Sequence, residues 1–207
     1  MSSRAHFWQV PWRFSQSLVI VGGFVLSLLA VQLLLGGRAI APEYPANRIA
    51  FAILSLVTIT AAAGFVDFSF VRWLGGLHLS LACGLLIAII LIVSTLMPGE
   101  ETVNSFLPRL HLAYPHRGWP LAGCLAILFV NVAAAMGRRI RRFQARQISF
   151  LVLHGGILLA MGMAMCAASE MVSLSVKMPV GGSGTERFVD GGKEILLPAK
   201  LRLASFD

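Results

Sequence analysis

Charge is scarce in this sequence. Asp, Glu, Lys and Arg make up 13% of its 207 residues, where a soluble domain carries about 25%. That scarcity, with 57% hydrophobic residues, excludes a disordered chain and an ordinary soluble enzyme. Acidic residues are the rarer sign, 9 against 17 Lys+Arg, which leaves a net charge of +8. In a soluble protein that excess would point to nucleic acid. Here arginines at the ends of apolar runs answer to membrane orientation and anionic lipid, so no nucleic-acid partner is expected. Cysteine is scarce too. Cys83, Cys124 and Cys166 are too few and too scattered for a disulfide-built secreted module. No CxxC is present, which argues against thiol exchange at a redox pair, and no CxxCH, so the chain is not itself a c-type cytochrome. GxSxG, HExxH and a P-loop are missing, and no carboxylate pair falls within a span, so nothing supports hydrolysis.

What the sequence has in abundance is apolar runs, with a mean hydropathy of +0.80. A membrane span needs about 20 mostly apolar residues. Five stretches qualify, near 17–35, 49–66, 77–97, 119–136 and 148–168. The first is too long for the apolar core of a cleaved signal and is preceded only by Arg4 and Arg13, so it is read as a retained span. The fold class this predicts is an all-α integral membrane bundle of about five transmembrane helices with a short extracytoplasmic β-rich C-terminal segment. The expected domains are a two-helix membrane hairpin over 1–75, a three-helix core over 76–170 and the β segment over 171–207.

Orientation follows from arginines in short loops. The segment after the fourth span carries Arg138, Arg139, Arg141, Arg142 and Arg146, which makes it cytoplasmic. Alternation then places the N-terminus and Arg72 inside, and the C-terminal tail outside. Trp8, Trp12, Trp73 and Trp119 sit near span ends, as interfacial tryptophans do. In the tail, residues 171–180 alternate apolar with polar, GGSG follows as a turn, and a DGG turn precedes a second alternating run, all strand and turn signals. These few strands are too few to stand alone.

An ionisable residue within a span is a functional hypothesis by default. His154 is the clearest, six residues into the fifth span and so about 9 Å from its inner end. Gly155 and Gly156 follow it, with Gly162 two turns on, and small residues let a second helix or a flat cofactor approach the backbone. Neutral imidazole is a haem axial ligand; the bland alternative is a histidine hydrogen-bonded between helices. His78, at the inner end of the third span, is a weaker candidate that would either pair with His154 or sit at the interface. His111 and His116, in a proline-rich outer loop, lack a carboxylate or cysteine to complete a metal set, so no metal beyond haem iron is expected. Met161 and Met165 share a helical face with His154, either as packing or as the edge of a haem site. Asn131 is expected to bond across to a neighbouring helix, the cysteines to be buried structural residues, and Asp67 and Glu170 to mark span ends.

The order of features is itself specific. Trp119-Pro120 opens a span containing Asn131; an arginine-rich loop follows; then come FLVLHGGILLAMG over 150–162 and a tail reaching ILLPAKLRLASFD. Over about 77–207 this resembles the ResB (CcsB) family of system II cytochrome c biogenesis. The first two spans, preceded by PWRFSQS and PAN, look like an extended, Bacteroidetes-like form of it. The resemblance implies a multi-pass subunit of a bacterial inner (plasma) membrane that works with a CcsA-like partner. Such a subunit helps carry haem b, held transiently, across the bilayer for attachment to apocytochrome c. It gives His154 the place of the family's transmembrane histidine. The chain departs from the family in stopping where a larger β-domain would open, and in lacking the tryptophan-rich loop and outer histidines of the CcsA half. It is therefore expected to be a truncated, split or fused part, and at most a non-catalytic or partial subunit of a cytochrome c haem lyase, or else a shortened relative with another role. The alternatives are a b-type electron-transfer subunit using His78 and His154 together, and a cofactor-free membrane anchor or scaffold.

Overall fold

A computed structural model describes residues 12–35, 45–96, 115, 118–141, 143–170, 185–190 and 193–201. The chain forms α1 (Phe14–Leu35), α2 (Ala46–Gly64), a short α3 (Ser69–Leu74), α4 (Leu77–Leu96), α5 (Trp119–Ile140), a 3-10 turn (Ala145–Gln147), α6 (Ile148–Glu170), and strands β1 (Thr185–Asp190) and β2 (Lys193–Leu201). Five of the helices are long and apolar enough to cross a membrane, and each coincides with one of the five apolar runs. Large apolar side chains face outward on all five, among them Leu26, Leu56, Ile92, Ile140 and Leu159, as expected where the surrounding solvent is hydrocarbon. The protein is a multi-pass membrane protein built as a helical bundle.

The bundle is organised around α5. Pro120 sits in its first turn, where the missing N–H removes no helical hydrogen bond. Cys124, Phe129, Asn131, Val132, Ala133, Ala134 and Gly137 are buried along its length. One core lies where α1 and α4 meet α5, around Val21, Val25, Leu79, Ala82, Cys83 and Cys124. A second lies where α2 and α6 meet α5, with Phe51 against Phe129 (ring centroids 4.6 Å apart), Val132 and Leu158. Helices α1 and α2 thus pack on different sides of α5, and a single compact unit, Met1–Cys166, takes in all five spans. Apolar side chains have no preferred partner in lipid, so close packing rather than sequence order decides neighbours. All three cysteines are buried free thiols, in keeping with a structural role.

Buried polar side chains fix the ends of the bundle. At one end the Trp73 indole N–H donates to Ser17 Oγ at 2.8 Å, and Trp12 meets Trp73 edge-on with centroids 5.0 Å apart. At the other, Gln32 Oε1 accepts the Trp119 backbone N–H at 2.9 Å, satisfying one donor at the start of α5. There, too, Asn47 Nδ2 donates to the Cys166 carbonyl at 3.4 Å. In a medium without water such bonds define register between helices that are otherwise uniformly apolar.

The C-terminal unit, Ala167–Asp207, holds an antiparallel pair in which Asp190 faces Lys193; the DGG turn expected between them lies largely outside the described residues. The register is regular from Asp190 to Arg187 and slips before Thr185, which faces Leu201. Pro198 lies in the β2 stretch where the slip falls, and proline, lacking an N–H, is confined to such irregularities or to edges. The strand expected over 171–180 lies outside the described residues, as do His111 and His116.

Candidate functional site

A cleft of about 810 Å³ opens at the end of the bundle where α2 finishes, α4 and α6 begin, and α5 finishes. Its base is α5, through Leu128, Asn131, Val132 and Ala135. One wall is α6, through Phe150, His154, Ile157 and Met161, spaced four, three and four residues apart and so on one helical face. The opposite wall is the α3–α4 corner, with Arg72, Leu77 and Ser80. Asp67, Arg138, Arg139 and Gln147 complete the mouth.

Asn131 builds that corner. It is 3% exposed, and its amide donates to the carbonyls of Leu74 and Gly76, at 2.5 and 3.0 Å, while its Oδ1 accepts from the Ser80 hydroxyl at 2.8 Å. This is the cross-helix bonding expected of it. The corner needs glycine as well: a Cβ on Gly75 would lie 2.8 Å from the Ala135 backbone nitrogen. Asn131→Leu keeps the volume but removes a donor from the Leu74 and Gly76 carbonyls and an acceptor from the Ser80 hydroxyl, which keeps only its 3.3 Å bond to the Gly76 carbonyl. Interhelical hydrogen bonds in membranes contribute about 0.6–2 kcal/mol each, so a loss of roughly 2 kcal/mol is expected. Denaturant unfolding of the detergent-solubilised protein would read it, and an unchanged midpoint would show that the corner holds without Asn131.

The histidine is held by its own helix. His154 Nδ1 lies 3.0 Å from the Phe150 carbonyl oxygen. A carbonyl only accepts, so this bond needs the proton on Nδ1, and in a neutral imidazole that leaves the lone pair on Nε2, the tautomer a metal ligand requires. The imidazole is half-buried and stacks on the Phe150 ring, with centroids 3.7 Å apart and planes 22° from parallel. The Arg139 guanidinium covers the same ring, 4.6 Å from its centroid, a cation–π contact.

Of the residues singled out from sequence, His154, Met161 and Asn131 meet at the cleft. His78 does not: it lies on the exposed side of α4, while its neighbours Leu77 and Ser80 line the cleft. Gly155 and Gly156 also lie off the cleft. Gly155 stands against Met136, Gly156 is exposed with nothing beside it, and Gly162 receives the Phe51 ring. These glycines therefore serve packing or open surface.

Sequence reasoning missed a second role for the arginine-rich segment. Arg138 Nη1 donates to the carbonyls of Arg72 at 2.8 Å and Gly75 at 3.2 Å, capping the end of α3. Arg141 Nη1 does the same for α2, at Ala63 (3.4 Å) and Gly64 (3.1 Å). Helix ends expose carbonyls that need donors, and cations suit the negative end of the dipole. Gly64 and Gly75, both at helix ends, were the available signal.

Among the described residues, no three His, Cys, Asp or Glu side chains gather where they could hold a metal ion. What the cleft offers is one imidazole, apolar walls and a cationic mouth. No protein-family model matches this chain, nor does any curated protein or solved structure.

Proposed function

We propose that this protein is a haem-handling membrane subunit of cytochrome c maturation. It holds haem b transiently in the cleft on its way to apocytochrome c, together with a CcsA-like partner. The observation that carries the reading is His154, with its tautomer set by the Phe150 carbonyl, lining a cleft of about 810 Å³. That size falls in the range of about 300–1,000 Å³ usual for cofactor and ligand sites. Leu128, Val132, Ile157 and Met161 supply apolar wall. The arginine-rich short segments support a cytoplasmic placement of this end, the side on which such a cargo would be loaded, and the bacterial plasma membrane is what the resemblance implies.

A single protein ligand suits a carrier. Iron held from one side can be released or passed to a second ligand on a partner, whereas two histidines would retain it. With His78 on the exposed side of α4, no second histidine lines the cleft among the described residues, which disfavours the electron-transfer alternative. The test is a haemin titration of the full chain in lipid nanodiscs, beside a c-type cytochrome reporter in cells with and without the chain. A Soret band saturating at equimolar haem, and holocytochrome yield that depends on the chain, are expected. A protein that stays colourless at every haem concentration would overturn the reading and leave a cofactor-free scaffold.

A further inference from the structure

We infer that the mouth of the cleft is a carboxylate clamp, in which Arg72 and Arg139 select a ligand bearing acid groups on one edge of an apolar body. The inference rests on the haem reading and names the chemical feature of the cargo that the site recognises.

The cleft is polarised along its length. Met161 and Leu128 lie toward the bundle interior, His154 stands midway, and Phe150, Gln147 and the arginines lie toward the opening. Among the described residues, three guanidinium groups and one carboxylate, Asp67, line that opening, an excess of two positive charges. A neutral amphiphile lying there would bring no charge to answer this excess, which is costly at a membrane boundary. A ligand with carboxylates at that edge supplies charge-assisted hydrogen bonds in place of water.

The three arginines are not equivalent. Arg138 is committed to the end of α3 through the Arg72 and Gly75 carbonyls. It contributes charge but belongs to the scaffold. Arg72 reaches a neutral partner, Ser69 Oγ, at 3.3 Å. Arg139 rests on the Phe150 face, and Phe150 in turn stacks on His154. Its charge thus stands one phenyl ring away from the imidazole. A ligand centred at His154 would need only a short acidic arm, extending past Phe150, to reach it.

The test compares two planar iron porphyrins that differ only in their acid groups, haemin and haemin dimethyl ester. Each is titrated into the full chain in phosphatidylcholine nanodiscs, so that no net-anionic headgroup competes, with the Soret band as readout. The diacid should bind about tenfold more tightly than the diester, the scale of one or two charge-assisted bonds, and the preference should shrink with added salt. In the Arg72→Gln/Arg139→Gln double variant the preference for the diacid should disappear and the two ligands should bind alike. The Arg72→Lys/Arg139→Lys variant, which keeps both charges, should retain part of the preference, and circular dichroism would show whether each variant is folded. Equal binding of diacid and diester to the wild type overturns the clamp and leaves the haem reading standing, as does a preference that survives in the folded glutamine variant. A wild type that binds neither porphyrin overturns both.

Discussion

Replacing His154 with alanine should abolish the Soret band of the haem-loaded protein, or weaken haem binding by about a hundredfold or more. Removing only an outer-shell partner of a metal ligand already costs about 10–100-fold in affinity. Here the ligand itself is lost, and among the residues lining the cleft no second histidine replaces it. The helix should tolerate the change, because His154 is only half-buried and bonds to its own backbone. His154→Gly with added imidazole gives the sharper result. If Nε2 of this side chain is the donor, free imidazole entering the space should restore the band. His78→Ala, on the exposed side of α4, should change nothing. A Soret band unaltered in His154→Ala would place the iron elsewhere and remove the basis for the carrier reading.

The spans were legible because a run of about 20 apolar residues has few other uses, and all five apolar runs became helices. The facing of each helix was far less legible. Helices α4 and α6 are apolar around nearly their whole circumference, so the pattern carries no direction. Nothing in the sequence could therefore say that His78 turns outward while His154 turns into a cleft. Helix α3 went unread for a different reason. With six residues between two spans it is too short for periodicity to register, and it is defined by contacts: Trp73 to Ser17, the Arg72 carbonyl to Arg138 and the Leu74 carbonyl to Asn131. The polar residues within spans were the informative exceptions. Asn131 declared itself because an amide in hydrocarbon must find partners, and the same argument applied to Gln32 and Asn47 would have located two more junctions. The arginine-rich segment was read as an orientation signal only. Its use as a pair of helix caps depends on α2 and α3 ending beside α5, which is a fact of tertiary packing.

That packing is the setting for the largest expected loss of stability. Gly137→Leu should unfold or dissociate much of the bundle, whereas Gly156→Leu, the same change on α6, should be close to neutral. A Cβ on Gly137 would run into the Ile59 carbonyl and lie 2.9 Å from the Ala62 side chain. The obstacle is backbone on the facing helix, so no rotamer change relieves it, and α2 must move away from α5. Overpacking of a close-packed interior costs about 1–3 kcal/mol and more where backbone must shift, so roughly 3 kcal/mol is expected for leucine and less for alanine. At Gly156 nothing lies within 4 Å of the added carbon, and the side chain would simply enter the apolar surroundings. Unfolding of the two variants in mixed micelles would compare them directly, and similar midpoints would refute the close approach of α2 and α5. The effect should reach the cleft as well. Arg141 lies one turn on from Gly137, so separating α2 from α5 withdraws its cap from Gly64, and the strain falls next to Arg138, which caps Gly75. The milder Gly137→Ala, folded but strained at this contact, should therefore bind haem more weakly than wild type even though the residue touches no ligand, because it disturbs the helix ends that position Arg72 and Arg139.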